Sequence, residues 1–121
     1  MAATALRLDA YELDDRYRRT DGRVFLTGTQ ALVAIMLHQR RIDRARGLNT
    51  AGFVSGYRGS PLGAVDQALW KAKRFLRDEQ IEFLPAINED LAATAVLGTQ
   101  QVELEADRTV DGVFSIWYGK G

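Results

Sequence analysis

Two stretches of the chain combine the residue types a working site needs. The first is Gly56-Tyr57-Arg58-Gly59-Ser60-Pro61-Leu62-Gly63. Small residues let a backbone approach a ligand, and N–H groups at the start of a following helix can receive an anion. As a nucleotide motif the loop is unspecific. It has neither the G-x-G-x-x-G spacing nor G-x-x-x-x-G-K-[ST], and Lys120 is not followed by Ser or Thr. A tight turn needing φ > 0 at Gly56 or Gly59 would account for the glycines, but not for Tyr57, Arg58 and Ser60 beside them. The second stretch is Asn88-Glu89-Asp90. An Asn cap followed by two acids is also what an ordinary helix start prefers. What singles out Glu89 is its setting among Ile87, Leu91, Ala92 and Ala93, where a carboxyl group is useful for acid–base work.

Both stretches fall at junctions of a repeating pattern. Arg23-Val24-Phe25-Leu26 reads as a first strand, ending at Thr27-Gly28-Thr29. A helix follows, with Leu32, Ile35, Met36 and Ile42 on one face and Gly47 placed to end it. Ala51–Ser55 reads as a buried strand. After the glycine loop, Val65, Ala68, Leu69, Ala72, Phe75 and Leu76 repeat at helical spacing opposite Asp66, Lys73 and Arg77. Ile81–Pro85 is a third strand, Pro85 marking its end. From the Asn88 cap, Leu91, Ala92, Ala95, Val96, Thr99 and Val102 share a helix face, and Val110–Tyr118 is a fourth strand.

Strands alternating with helices predict an α/β fold: a parallel sheet with flanking helices and crossover connections. Ligands of such sheets bind beyond the carboxyl ends of the strands. That places Thr27–Gln30, Gly56–Gly63, Ile87–Asp90 and Tyr118–Gly121 together at one edge. Residues 1–20 read as a peripheral arm or short helix, with Glu12/Arg16, Asp14/Arg18 and Asp15/Arg19 spaced for ion pairs, and residues 21–121 as one domain. An end at Gly119-Lys120-Gly121, directly after an aromatic strand, implies a truncated fold.

Composition narrows the function classes. The 16 basic and 16 acidic residues cancel, which gives no electrostatic case for nucleic acid. The run Arg40–Arg46 sits where a helix ends and suits its dipole. With no cysteine and one histidine, His38, placed mid-helix, a disulfide framework and a Cys- or His-built metal site are excluded within the chain. No stretch is long and apolar enough for a membrane span, and Met1-Ala2-Ala3-Thr4 leads into charge, so the expected location is cytoplasmic.

Taken together, Gly56-Tyr57-Arg58-Gly59-Ser60-Pro61 and, one strand later, Asn88-Glu89-Asp90-Leu91-Ala92-Ala93-Thr94-Ala95 resemble the 2-oxo acid:ferredoxin oxidoreductases, in particular the long bacterial indolepyruvate type. Gly28-Thr29-Gln30-Ala31 and Trp117-Tyr118-Gly119-Lys120-Gly121 are similar to that family too. The resemblance runs from Tyr11 onward and corresponds to an amino-terminal fragment. It implies the pyrimidine-binding domain of a thiamine diphosphate enzyme, inactive alone, whose full form oxidatively decarboxylates arylpyruvates or other 2-oxo acids to acyl-CoA and reduces ferredoxin. Glu89 would be both the catalytic and the cofactor-binding glutamate, hydrogen-bonded to the aminopyrimidine ring. Burial must then outweigh the helix dipole at this position.

The resemblance assigns further roles. Gly28, Tyr57 and Gly59 would border the cofactor. Ser60 matches a Tyr-x-x-Thr-Pro position whose hydroxyl faces the substrate carboxylate. Arg58 either adds a charged contact there or neutralises a surface acid, and Tyr57, Trp117 and Tyr118 line an aromatic pocket or pack the sheet edge. Magnesium, diphosphate and iron–sulfur ligands would lie in the remainder of the same protein, and association into a homodimer is implied. A different class remains open, a stand-alone flavodoxin-like module for a phosphorylated ligand, as does a non-catalytic relative that keeps the domain as scaffold.

Overall fold

A computed structural model describes residues 10–119. The segment TAGFVSG forms β1 (Thr50–Gly56), which lies between β2 (Ile81–Phe83) and β3 (Gly112–Tyr118) in a three-stranded sheet of order β2-β1-β3. Both pairings are parallel. β3 matches β1 without a break, from Thr50 opposite Gly112 to Gly56 opposite Tyr118. β2 pairs only from Gly52–Ile81 to Val54–Phe83, although Leu84 and Ala86 continue donating to Val54 O and Gly56 O at 3.0 Å. The predicted α/β class with a parallel sheet is therefore present.

The helices are α1 (Asp15–Arg18), α2 (Gly28–Ala45), α3 (Gly63–Lys71), α4 (Lys73–Asp78) and α5 (Glu89–Thr99). Residues 46–49 return the chain from α2 to β1, so α2 runs against the strands and starts at their carboxyl edge. Gly47, at φ 82°, ends that helix as expected. Side chains of α2, α3 and α4 meet Val54, Ile81, Phe83 and Tyr118 in one core whose most enclosed members include Met36, Leu37, Leu69 and Leu76. α5 covers the other face, where Thr99 Oγ1 and Ser115 Oγ lie 3.1 Å apart and Gln100 Nε2 donates to Val113 O at 3.1 Å.

Several expectations need correcting. Arg23–Leu26 is not a strand: it is irregular, with Phe25 exposed and its N–H donating to the Tyr11 hydroxyl at 2.9 Å. A four-residue apolar run carries too little information to distinguish a strand from a linker that packs one ring. The sheet of the described residues accordingly has three strands.

The inward face of α2 is also rotated from the predicted one. Leu32, Ile35 and Ile42 are exposed, whereas Val33, Ala34, Met36 and Leu37 are buried together with Arg40 and Asp43. Those two charged residues are interior because they tie α2 to the start of β1: Arg40 Nη2 donates to Asn49 Oδ1 at 3.1 Å, and Asp43 accepts from Thr50 Oγ1 at 2.7 Å. Hydropathy alone counts such residues as outward.

The long helix after the glycine loop breaks at Ala72 into α3 and α4 but keeps the predicted inward set Val65, Ala68, Leu69, Ala72 and Leu76. Asp66, expected outward, is buried. The arm is helical only over Asp15–Arg18. Asp14/Arg18 and Asp15/Arg19 pair at 3.4 and 3.0 Å, while Arg16 instead donates to Leu13 O at 2.7 Å. Its Tyr17 enters the domain's own core against Phe75. The readings made on Met1–Thr4, Lys120 and Gly121 lie outside the described residues.

The sheet glycines are there for space. A Cβ on Gly52 would stand 2.6 Å from the Phe114 ring and 2.8 Å from Ile81 Cγ1. Gly52→Ala is expected to lower unfolding free energy by about 1–3 kcal/mol through overpacking. Gly28→Ala, with nothing within 4 Å of the new methyl, should leave stability unchanged or slightly raised. Urea unfolding of the two variants separates these outcomes.

Candidate functional site

The carboxyl edge of the sheet gathers the start of α2, the loop after β1, the start of α5 and the end of β3. At α2, Thr27 accepts from Gln30 N at 3.2 Å and Gln30 Oε1 accepts from Thr27 N at 2.9 Å, a reciprocal capping box. Gly28 is the first helical residue and is exposed. The Thr27-to-Gln30 spacing spells this box, so Gly28 and its neighbours have a structural reason to be there.

In the loop after β1, Ser60 N donates to Tyr57 O and Gly63 N to Ser60 O, both at 3.0 Å, which folds the loop into consecutive turns. Ser60 is buried, and its hydroxyl oxygen accepts from Leu62 N at 3.2 Å. That leaves its O–H available to donate. Neither Gly56 nor Gly59 has positive φ, contrary to the turn reading. Each instead seats an aromatic ring: a Cβ on Gly56 would fall 2.5 Å from the Tyr118 ring, and one on Gly59 2.6 Å from the Tyr57 ring. Tyr57 remains partly exposed and bridges to Ala86 beyond β2.

At α5, Asn88 caps the helix by accepting from Leu91 N at 2.8 Å, as predicted. Glu89 is the first helical residue and is half-buried. The end of β3 passes directly beside it. Trp117 Nε1 donates to Glu89 O at 3.1 Å, and a Cβ on Gly119 would lie 2.7 Å from Glu89 Cγ. Ile87 and Leu91, two residues to either side of Glu89 in the chain, and Trp117 are exposed apolar side chains at this helix start. α5 itself is apolar on most sides, yet only Ala92 is fully buried.

Arg58 turns away from that cluster. Its Nε donates to Asp66 Oδ2 at 3.0 Å, and the Asp66 side chain is 3% exposed against 68% for Arg58. Asp66 Oδ1 and the Tyr118 hydroxyl are both buried with no further geometric partner. Burial first, and the Asp66 carboxylate second, push the Tyr118 hydroxyl up to about 12, with Arg58 pulling the other way. Asp66 thus links the loop, the first turn of α3 and the end of β3. Nothing in the hydropathy pattern marked it, because its partner lies across a turn and its second neighbour on a distant strand.

The structure thus brings Trp117 and Gly119 beside Glu89, whereas Tyr57 and Ser60 lie in the loop after β1 and Gly28 at the start of α2. His38 is exposed on α2. Among the described residues no group of three or more His, Asp or Glu side chains could hold a metal ion, and no helix is long and apolar enough to cross a membrane. Comparison with protein-family models, with curated proteins and with solved structures finds no match to this chain.

The Tyr118 environment makes a test. Its hydroxyl pKa is raised above the ordinary 10.0, so below pH 10 both folded and unfolded chains keep the proton and the contribution is complete. As pH rises from 10 towards 12 the unfolded chain ionises first, and this stability is lost. Ultraviolet titration of the tyrosines should show a late step absent from Tyr118→Phe, whose stability should fall less over that window. Burial raises the Tyr17 hydroxyl as well, so the variant makes the assignment.

Proposed function

We propose that this chain is the pyrimidine-binding part of a thiamine diphosphate-dependent enzyme that oxidatively decarboxylates 2-oxo acids, arylpyruvates among them, to acyl-CoA with reduction of ferredoxin. The observation that carries the reading is the placement of Glu89 at the carboxyl edge, packed against Trp117 and Gly119, with the exposed Ile87 and Leu91 near it in the chain. A carboxylate on an apolar rim fits an aminopyrimidine ring, which offers ring nitrogen and amino groups at one edge and flat apolar faces. When bound, thiamine diphosphate supplies the nucleophilic carbon that attacks a keto group.

In this reading Glu89 holds the ring nitrogen and exchanges a proton with it through Oε1 or Oε2. Trp117 beside it, together with Leu91, would exclude water around that proton and strengthen the contact. Ser60 presents its O–H to the substrate carboxylate. Arg58, the other candidate for that anion, has its Nε engaged by Asp66. The chain has no cysteine, and among the described residues no group of three or more acidic or His side chains is assembled that could hold a metal ion. In this reading the diphosphate, metal, electron-transfer and coenzyme A sites lie in the remainder of the same protein. The half-buried Glu89 and the apolar outer side of α5 support a second domain closing over this edge.

In the enzyme assembled with its remaining domains, Glu89→Ala should lower kcat for 2-oxo acid decarboxylation by about 10²–10⁴ with the fold intact, the range expected for loss of a positioned acid–base group. Near-wild-type turnover would remove Glu89 from the role. The β2-β1-β3 order also suits a second reading, a stand-alone module taking a phosphorylated ligand where the chain reverses between β1 and β3. Calorimetric titration of the chain with flavin mononucleotide distinguishes the two, since only the module should bind it.

A further inference from the structure

The Arg58–Asp66 pair opens onto a concavity distinct from the Glu89 rim. A cavity of about 480 Å³ lies beside α3, lined by Arg58, Gly63, Asp66, Gln67, Trp70 and Lys71. That volume is within the range of small-ligand sites. Two cations and a buried carboxylate border it. Asp66 is 2% exposed and takes the Arg58 Nε, leaving the two Nη groups of the guanidinium for another acceptor. Engaging a guanidinium through Nε fixes its plane, so a ligand meets an oriented fork. Gly63 keeps the loop close enough for this, since a Cβ there would stand 2.9 Å from Arg58 O.

The remaining wall supplies the complement. Trp70 packs edge-on against Phe83 at 5.2 Å between ring centroids, which holds the indole in place while leaving it partly exposed. Gln67 adds an amide, and Lys71 a second cation without a salt bridge among the described residues. Counting Asp66 against Arg58 leaves one net positive charge in the cavity from Lys71.

We propose that this cavity binds a monoanionic or dianionic head group, carboxylate or phosphate, carried on a flat aromatic body. The Arg58 Nη groups and Lys71 Nζ take the anion and Trp70 takes the ring. The proposal stands on these residues and does not require the thiamine reading.

Trp70 and Trp117 are the two tryptophans of the chain, so their indole N–H signals report the two sites separately. Benzoate and phenyl phosphate, with benzyl alcohol as the neutral control, are titrated into the ¹⁵N-labelled chain. Saturable movement of the Trp70 indole with either anion, and none with the alcohol, is expected. The tighter anion identifies the head group. Lys71→Ala should weaken binding about tenfold, as for loss of one charge-assisted contact, and added salt should weaken it further. Arg58→Lys, which keeps a charge near Asp66 but removes the fork, should weaken it similarly. No saturable shift at Trp70 with either anion overturns the proposal. So does an equal response to benzyl alcohol, or affinity unchanged by Lys71→Ala, an exposed position where folding is not at stake.

Discussion

The close contact of β3 with β1 is the constraint on which the rest of the structure depends. Seven consecutive residues pair in parallel, and the aromatic rings of β3 lie where β1 has no side chains: Phe114 against Gly52 and Tyr118 against Gly56. A methyl group at either glycine would collide with a ring. The sheet therefore has two covered faces with one thin strand at its centre. Tyr118 is seated over Gly56 with its hydroxyl buried, under the influence of the Asp66 carboxylate but without a hydrogen-bond partner. The Arg58–Asp66 pair is what ties the loop after β1 to the start of α3.

The same edge separates two kinds of chemistry. On one side the buried Asp66 carboxylate pairs with the exposed Arg58 guanidinium, and removing Arg58 would leave that carboxylate poorly compensated. On the other, Glu89 sits on the opening turn of α5 with its backbone carbonyl held by Trp117 and its side chain toward an apolar rim. The distance between these roles follows from topology. Arg58 belongs to a loop that folds toward α3, whereas Glu89 begins a helix on the opposite face of the sheet.

Much of this was legible in the residues. Alternation of apolar runs with helical repeats indicated the α/β class, Gly47 ended α2, and Asn88 capped α5, because each is a local preference acting on local geometry. What failed depended on distant partners. Phe25 in the irregular Arg23–Leu26 segment packs edge-on with Tyr11 instead of joining a sheet. Arg40 and Asp43 are buried because Asn49 and Thr50 receive them, and the inward face of α2 is rotated from the one that hydropathy indicates, with Met36 common to both. Gly56 and Gly59 could not be separated from turn glycines without the rings that press on them. Glu89, Tyr57 and Ser60 are singled out by motif, whereas the burial of Asp66 and its pairing with Arg58 appear only in the folded loop and α3.

We propose that Glu89 receives an aminopyrimidine ring. A crystal structure of this chain with the remainder of its protein and thiamine diphosphate bound measures this directly. A Glu89 carboxylate oxygen is expected within hydrogen-bond distance of a ring nitrogen, with Trp117 against the ring. A cofactor ring seated on another carboxylate, with Glu89 facing solvent, would contradict it.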